Sequence, residues 1–233
     1  MIKFDNKFTY ITLGIFFLLE LVLAVIIQLV SGVYYGISTL TSVSIACIVV
    51  GIFYKQTDKH LLTIIALITT VCADLFLCGL VKFHNDRVVA MVFFCVTQIC
   101  YFYRLYLNQE YTSTKRVHLA LRVAIPAAAI IATLVVLKDN ADTLAIISMF
   151  YFANLLLNVV YAFIQFKRAP LFAIGLLCFA LCDVLIGFAV LDEFMTIPPF
   201  IKAINDIDLN LAWIFYVPSQ TLIATDIAIN END

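Results

Sequence analysis

The sequence predicts an all-α, polytopic membrane protein: eight transmembrane helices in a 4+4 parallel pseudo-two-fold repeat. They form a single domain over residues 1–233, with repeat halves of about 1–110 and 111–233. Three observations lead there. Of the 233 residues, 64% are apolar or aromatic and only 13% are Asp, Glu, Lys or Arg, whereas a soluble domain carries about a quarter charged residues and under half apolar ones. A mean hydropathy of +1.05 points the same way and excludes a water-soluble globule, a disordered chain and a collagen. Apolar runs of about 20 residues, the length that crosses a bilayer core, recur eight times. Finally, a pair of intramembrane polar motifs recurs four spans apart.

The runs follow in order. The first, from near Phe8 to Val30, comes after Lys3 and Lys7 as a signal peptide would, but it is too long for one and contains Glu20, so it reads as a retained span. Ser31-Gly32 breaks the chain before the second run, Gly36 to Tyr54. Lys55-Gln56-Thr57-Asp58-Lys59 precedes the third, Leu61 to Val81, and His84-Asn85-Asp86-Arg87 precedes the fourth, Val88 to Leu107. The polar stretch Asn108 to Arg116 separates the halves. The fifth run spans Val117 to Leu137, and Lys138-Asp139-Asn140 leads to the sixth, Thr143 to Gln165. Lys167-Arg168 marks the break before the seventh, Leu171 to Leu191. Pro198-Pro199 falls before the eighth, Leu209 to Ala228.

Orientation follows from Lys and Arg. With the N-terminus inside, the inner segments hold ten of the 14 basic residues, Arg104 and Arg122 among them, and the outer segments hold four. The expectation is a multi-pass protein of a bacterial plasma membrane with both termini cytoplasmic. The net charge of −2 argues against a nucleic-acid partner, and no obligate protein partner is evident. The seven cysteines lie in apolar runs without a CxxC, as small packing residues do. His60, His84 and His118 fall in three separate connections without ligand spacing, so no metal or cofactor is expected.

Three charged residues sit deep inside apolar runs: Glu20, Asp74 and Asp183. A carboxylate at the centre of a spanning helix costs about 2.5–3.5 kcal/mol on insertion scales, so each needs a partner, water or proton chemistry. Gln98, Gln220, Asn154 and Asn158 join them as uncharged polar residues that lipid cannot satisfy. Cys72-Ala73-Asp74-Leu75-Phe76-Leu77 in the third run matches Leu181-Cys182-Asp183-Val184-Leu185-Ile186 in the seventh. Thr97-Gln98 in the fourth matches Ser219-Gln220 in the eighth. An even offset of four spans gives both halves the same orientation, a parallel repeat about an axis along the membrane normal. It brings Asp74 and Asp183 to one depth, where they face a shared cavity if the axis passes between the halves. Each Asp also reads as structural glue to a neighbouring Gln. Glu20 has no counterpart in the matching stretch Ala124 to Ile131 and is expected to bond another core polar group. Asn154 and Asn158 share a helical face near Tyr151 and Tyr161 and read equally as glue or as cavity lining.

At Ala73-Asp74, Cys182-Asp183, Thr97-Gln98 and Ser219-Gln220 the chain resembles the YhhN-like lysoplasmalogenase family of eight-span membrane proteins. Its most telling stretch runs from Asn210 to Ala224, an aromatic-rich lead into Gln220 followed by Leu222-Ile223-Ala224. The resemblance runs through spans three to eight, and the first two match by number. The chain departs from the family pattern at the second span, where Tyr35-Gly36-Ile37 stands in place of Lys-Pro-Leu.

The resemblance implies a membrane-embedded hydrolase that cleaves the vinyl ether of lysoplasmalogen-type lysophospholipids to a fatty aldehyde and a glycerophospho-base. Its substrate is a lysophospholipid met within the bilayer. The residues suit that chemistry, because vinyl ether hydrolysis starts with protonation of the β-carbon and ends with water attacking an oxocarbenium ion. Two carboxyls in one apolar site divide into an acid and a base, since both cannot ionise cheaply. Asp74 and Asp183 are the expected catalytic pair, and Gln98, Gln220, Asn154, Asn158 and Tyr216 the expected substrate-binding set. No GxSxG or HExxH occurs. The alternative from another class is a proton-coupled transporter or lipid-translocating protein that uses the same aspartates as proton carriers.

Overall fold

The computed structural model describes residues 6–30, 33–55, 57–107, 112–207 and 210–229. Among them no strand occurs, and nine α-helices follow one another: α1 Asn6–Leu29, α2 Val33–Ile52, α3 Asp58–Leu77, α4 Asp86–Leu107, α5 Thr112–Leu137, α6 Thr143–Ile164, α7 Pro170–Val190, α8 Pro199–Asn205 and α9 Leu211–Ile229. The expected breaks at Ser31-Gly32 and at Asn108 to Tyr111, and the expected start of the last run at Leu209, lie outside the described residues.

Local chemistry explains the ends. The Asp142 carboxylate accepts from the Ala145 backbone N–H at 2.7 Å and caps α6. Pro170 opens α7 in the first turn, where its missing N–H costs nothing. Gly79 at φ 68° turns the chain out of α3, which ends four residues before the expected Val81. Inside the helices, Ser38, Thr39, Ser44, Thr63 and Thr70 return their hydroxyls to carbonyls four residues back, which satisfies them without water.

Seven helices, α1 to α7, are long and apolar enough to cross a membrane, and the chain is an integral membrane protein. The last long helix, α9, is not among the seven. It carries Pro218, Ser219, Gln220, Thr221, Thr225 and Asp226, and it is buried along nearly its whole length against α1, α2 and α7. A helix surrounded by protein needs no lipid-compatible surface, and this explains its mixed composition. α8 is a short helix in the connection to α9 that the sequence did not predict.

The closest packing joins α3 to α4 and α7 to α9. α2 lies against α3 and α9, while α6 lies against α7 and α4, so these six helices close a ring. α1 flanks it at α2 and α9, and α5 flanks it at α6. Both flanking helices turn apolar side chains outward, among them Leu18 and Leu21 of α1 and Val123 and Ile131 of α5. Gln28 and Ile27 near the end of α1 exchange hydrogen bonds with Asn210 at the start of α9. These two helices therefore run antiparallel, and α1 begins at the end of the bundle where α9 finishes, here called the near end.

Two expectations need correction. His60 and His118 do not sit in connections: both lie inside helices, α3 and α5, and both are buried. Arg104 and Arg122 are not loop-flanking charges either. Arg104 is 3% exposed, and Arg122 donates to Asn154 and Asn158 of α6 and to His118 of its own helix.

Candidate active site

Asp74 lies on α3, three residues before its last turn ends, and is fully buried. The Tyr216 hydroxyl of α9 donates to its Oδ2, and Oδ1 has no partner. Asp183 occupies the matching place on α7. The Tyr151 hydroxyl of α6 donates to its Oδ2, and the residue is half-buried rather than sealed. The rings that hold the two carboxylates are joined: Phe94 touches Tyr151 and Phe179, and Phe179 touches Tyr216. Cys182 lies within electrostatic range of both, and Tyr35 of α2 within range of Asp74. The aspartate partners are thus tyrosines, and the expected Asp–Gln bonds do not form.

Aromatic rings fix this tier. Phe94 of α4 tilts against Tyr151 with centroids 5.5 Å apart, and Phe179 of α7 packs edge-on against Tyr216 at 5.9 Å. Trp213 packs at right angles to both Tyr216 and Tyr35. Tyr151 and Tyr216 are both under 5% exposed, so each hydroxyl is held where it meets its carboxylate.

The glutamines lie one turn nearer the near end. Gln98 is 1% exposed and Gln220 0%. Asn158 of α6 donates through Nδ2 to the Gln98 carbonyl at 3.0 Å and to its Oε1 at 2.9 Å, which leaves Gln98 Nε2 without a partner. Both amide atoms of Gln220 and the Ser219 hydroxyl are likewise unpartnered and buried. Asn154, half-buried, and Asn158, fully buried, accept from Arg122 of α5.

Glu20 accepts from the Ser42 hydroxyl of α2 at 2.5 Å, the structural bond expected of it. Its counterpart is not in Ala124 to Ile131. The charged side chain of α5 that reaches its neighbouring helix is Arg122, which donates to Asn158 of α6.

One cluster has no precedent in the sequence motifs. Six residues beyond each glutamine, Arg104 of α4 and Asp226 of α9 form a buried ion pair. Arg104 also donates to the Thr63 hydroxyl at 2.9 Å and sits over the Phe172 ring at 3.8 Å. Asp226 accepts from the Phe172 backbone N–H at 3.3 Å. An open hollow at the far end, lined by Glu193, Phe194, Met195, Thr196, Ile197 and Lys202, does not include the carboxylates. Among the described residues no group of His, Cys, Asp and Glu has the arrangement of a metal site.

A model of the YhhN family matches residues 33–227. That range begins with α2 and takes in both aspartates, both tyrosines and both glutamines. No curated protein and no solved structure matches the chain.

Proposed function

The chain belongs to the YhhN family, and from that premise we propose a membrane-embedded hydrolase that cleaves the vinyl ether of lysoplasmalogen-type lysophospholipids. The observation that carries the reading is the pair of intramembrane aspartates, each fixed by a tyrosine hydroxyl, the two tyrosines being linked through Phe94 and Phe179. Two such carboxyls cannot both ionise cheaply in an apolar interior. Asp74, sealed and with one oxygen unpartnered, is the group that keeps a proton. Its O–H delivers that proton to the β-carbon, and the electron pair of the double bond forms the new C–H bond. The oxocarbenium ion that results is stabilised by the Asp183 carboxylate. Asp183, half-buried, meets the attacking water and takes its proton. The hemiacetal then collapses: Asp183 returns its proton to the departing glycerol oxygen, the Asp74 carboxylate takes the hemiacetal O–H proton as the C=O forms, and aldehyde, glycerol hydroxyl and the Asp74 acid result.

The helix packing supports an eight-span, 4+4 parallel arrangement. Every close pair within α1 to α4 has its counterpart in α5, α6, α7 and α9: α1 with α2 as α5 with α6, α2 with α3 as α6 with α7, and α3 with α4 as α7 with α9. In this arrangement α9 is the eighth span, and both termini are cytoplasmic.

The test is Asp74→Asn and Asp183→Asn in purified protein supplied with a vinyl ether lysophospholipid, following release of aldehyde. Each single variant is expected to lose at least ~10²–10⁴-fold in turnover, with the double variant adding little because the pair acts as a unit. Folding should survive, since Asn is cheaper to bury than a charged carboxylate. Stable variants with undiminished turnover would remove the acid/base assignment. A proton-carrier role would instead appear as uptake that depends on a pH gradient.

A further inference from the structure

Arg122 sits in a membrane-spanning helix, and its described hydrogen bonds go to neutral acceptors. Nη1 donates to the Asn154 carbonyl at 2.8 Å and to Asn154 Oδ1 at 3.2 Å. Nη2 donates to Asn158 Oδ1, and Nε to His118 Nε2 at 3.3 Å. The Phe102 ring covers the guanidinium at 4.8 Å. A guanidinium has donors and no acceptor, so this end of the chain of bonds has a fixed sense. Asn158 must turn its oxygen to Arg122 and its NH₂ to Gln98. Gln98 must therefore turn its oxygen to Asn158. Its own NH₂ is the free end, buried and without a partner in the protein. The corresponding trio in the other half, Glu20, Ser42 and Gln220, has no such lock, and both amide atoms of Gln220 are unpartnered.

Resting on the hydrolase reading above, we propose that Arg122 is a positioning residue which, through Asn158, holds Gln98 as a one-way donor to the free C2 hydroxyl oxygen of the lysolipid glycerol. Three considerations select that oxygen. The ether oxygen becomes positive as the β-carbon is protonated, and a cation-polarised N–H against it would oppose the reaction. A phosphate would call for a charged donor with N–H groups to spare, whereas Arg122 already spends its own on Asn154, Asn158 and His118. Distance also fits: Phe94 marks the level of Tyr151 and Asp183, and Gln98 is four residues further along α4, about 6 Å at 1.5 Å per residue. The C2 oxygen of a lysolipid lies within a few bonds of the vinyl group. A buried donor that must be satisfied by this hydroxyl distinguishes a lysolipid from one with no oxygen at C2.

The experiment measures binding, so it does not depend on turnover. The full chain in detergent is titrated with a 1-O-alkyl lysophosphatidylcholine, whose saturated ether cannot be cleaved this way, and with the same molecule lacking the C2 hydroxyl. The natural sequence should prefer the hydroxylated ligand by roughly 2- to 10-fold, the net worth of one buried hydrogen bond. Gln98→Leu, which neither donates nor accepts, should bring that ratio close to 1; Arg122→Gln, which releases the fixed sense of the chain of bonds, should lower it, and Arg122→Lys should restore part of it. Should Arg122→Gln not fold, Asn158→Ser takes its place, because it installs the side chain that Ser42 presents in the other half. A merely structural role for Arg122 lowers stability and leaves the ratio of the two affinities where it was, and that result would overturn the proposal. So would equal binding of both ligands by the natural sequence. Binding of neither ligand would count against the lysolipid reading itself, and this inference would go with it.

Discussion

Tyr216 and Tyr151 hold the two aspartates alike, but losing them has different consequences. Tyr216→Phe would leave Asp74, fully buried, with neither oxygen partnered, at a cost of about 1–3 kcal/mol. Tyr151→Phe strips Asp183 of the same bond, yet that residue is only half-buried, so its carboxylate depends less on the hydroxyl. Thermal unfolding of the two variants in the same detergent should therefore show the larger loss for Tyr216→Phe, and equal losses would mean that the two carboxylates are equally sealed. The aspartates and glutamines are legible in the sequence because a polar group in a long apolar run is an anomaly. Their tyrosine partners are not equally legible. With 11 Tyr and 20 Phe in the chain, a membrane protein offers every tyrosine an ordinary packing role, and along the chain Tyr151 stands out only as a neighbour of Asn154. Arg104 and Asp226 escape for a different reason. Each lies within four residues of its helix end, where charges read as flanks of a span. Only the tertiary structure shows them meeting across the bundle.

At the scale of the element, the α7–α9 contact depends on one missing side chain. A Cβ at Gly175 would come within 2.8 Å of Ile223 Cγ1 and 3.1 Å of the Ser219 carbonyl oxygen. In the first half Ala66 holds the matching place, 109 residues earlier, and its carbonyl accepts from the Thr97 hydroxyl at 3.2 Å. Gly175→Ala is expected to cost about 1–3 kcal/mol by overpacking, and Gly175→Val more, read as a falling unfolding temperature in that order. A neutral Gly175→Val would mean that α7 and α9 separate without penalty. Hydropathy makes α1 to α7 readable, since an uninterrupted run of about 20 apolar residues matches the thickness of a bilayer core and exceeds what a soluble core helix needs. It also places the eighth run, but the polar residues of α9 answer to protein rather than lipid. α8 and the turn at Gly79 are not readable, because neither carries a periodic apolar pattern. Position along the chain fails to find the counterpart of Glu20. In the proposed repeat, what pairs Glu20 with Arg122 is the helix each one reaches, α2 for Glu20 and α6 for Arg122.

Across the whole molecule, the proposed repeat is read from two offsets along the chain. An offset of 122 residues carries Phe94 to Tyr216, Thr97 to Ser219, Gln98 to Gln220 and Arg104 to Asp226; an offset of 109 carries Asp74 to Asp183 and Thr63 to Phe172. An eight-span arrangement with the basic segments inside expects reporter fusions at residue 110 and at the C-terminus both to read cytoplasmic, and a C-terminus on the opposite side from residue 110 would show that α9 does not cross. The same offsets give the ion pair its meaning. Arg104 of α4 and Asp226 of α9 form a buried ion pair, and in the proposed repeat a pair at equivalent positions lies near the axis and ties the halves together at the near end. Thr63 and Phe172, themselves equivalent by offset, hold the pair from either side. Removing one partner strands a buried charge and typically costs about 3–5 kcal/mol, while replacing both with apolar residues of similar size is often close to neutral. Arg104→Met and Asp226→Leu are each expected to lower the unfolding temperature sharply, and the double variant is expected to recover most of the loss. Two independent, additive losses would mean that the residues do not act as a pair. Full recovery of stability together with full turnover would assign the pair to holding the halves together, and leave the chemistry to the aspartates 30 residues from Arg104 and 43 from Asp226 along the chain.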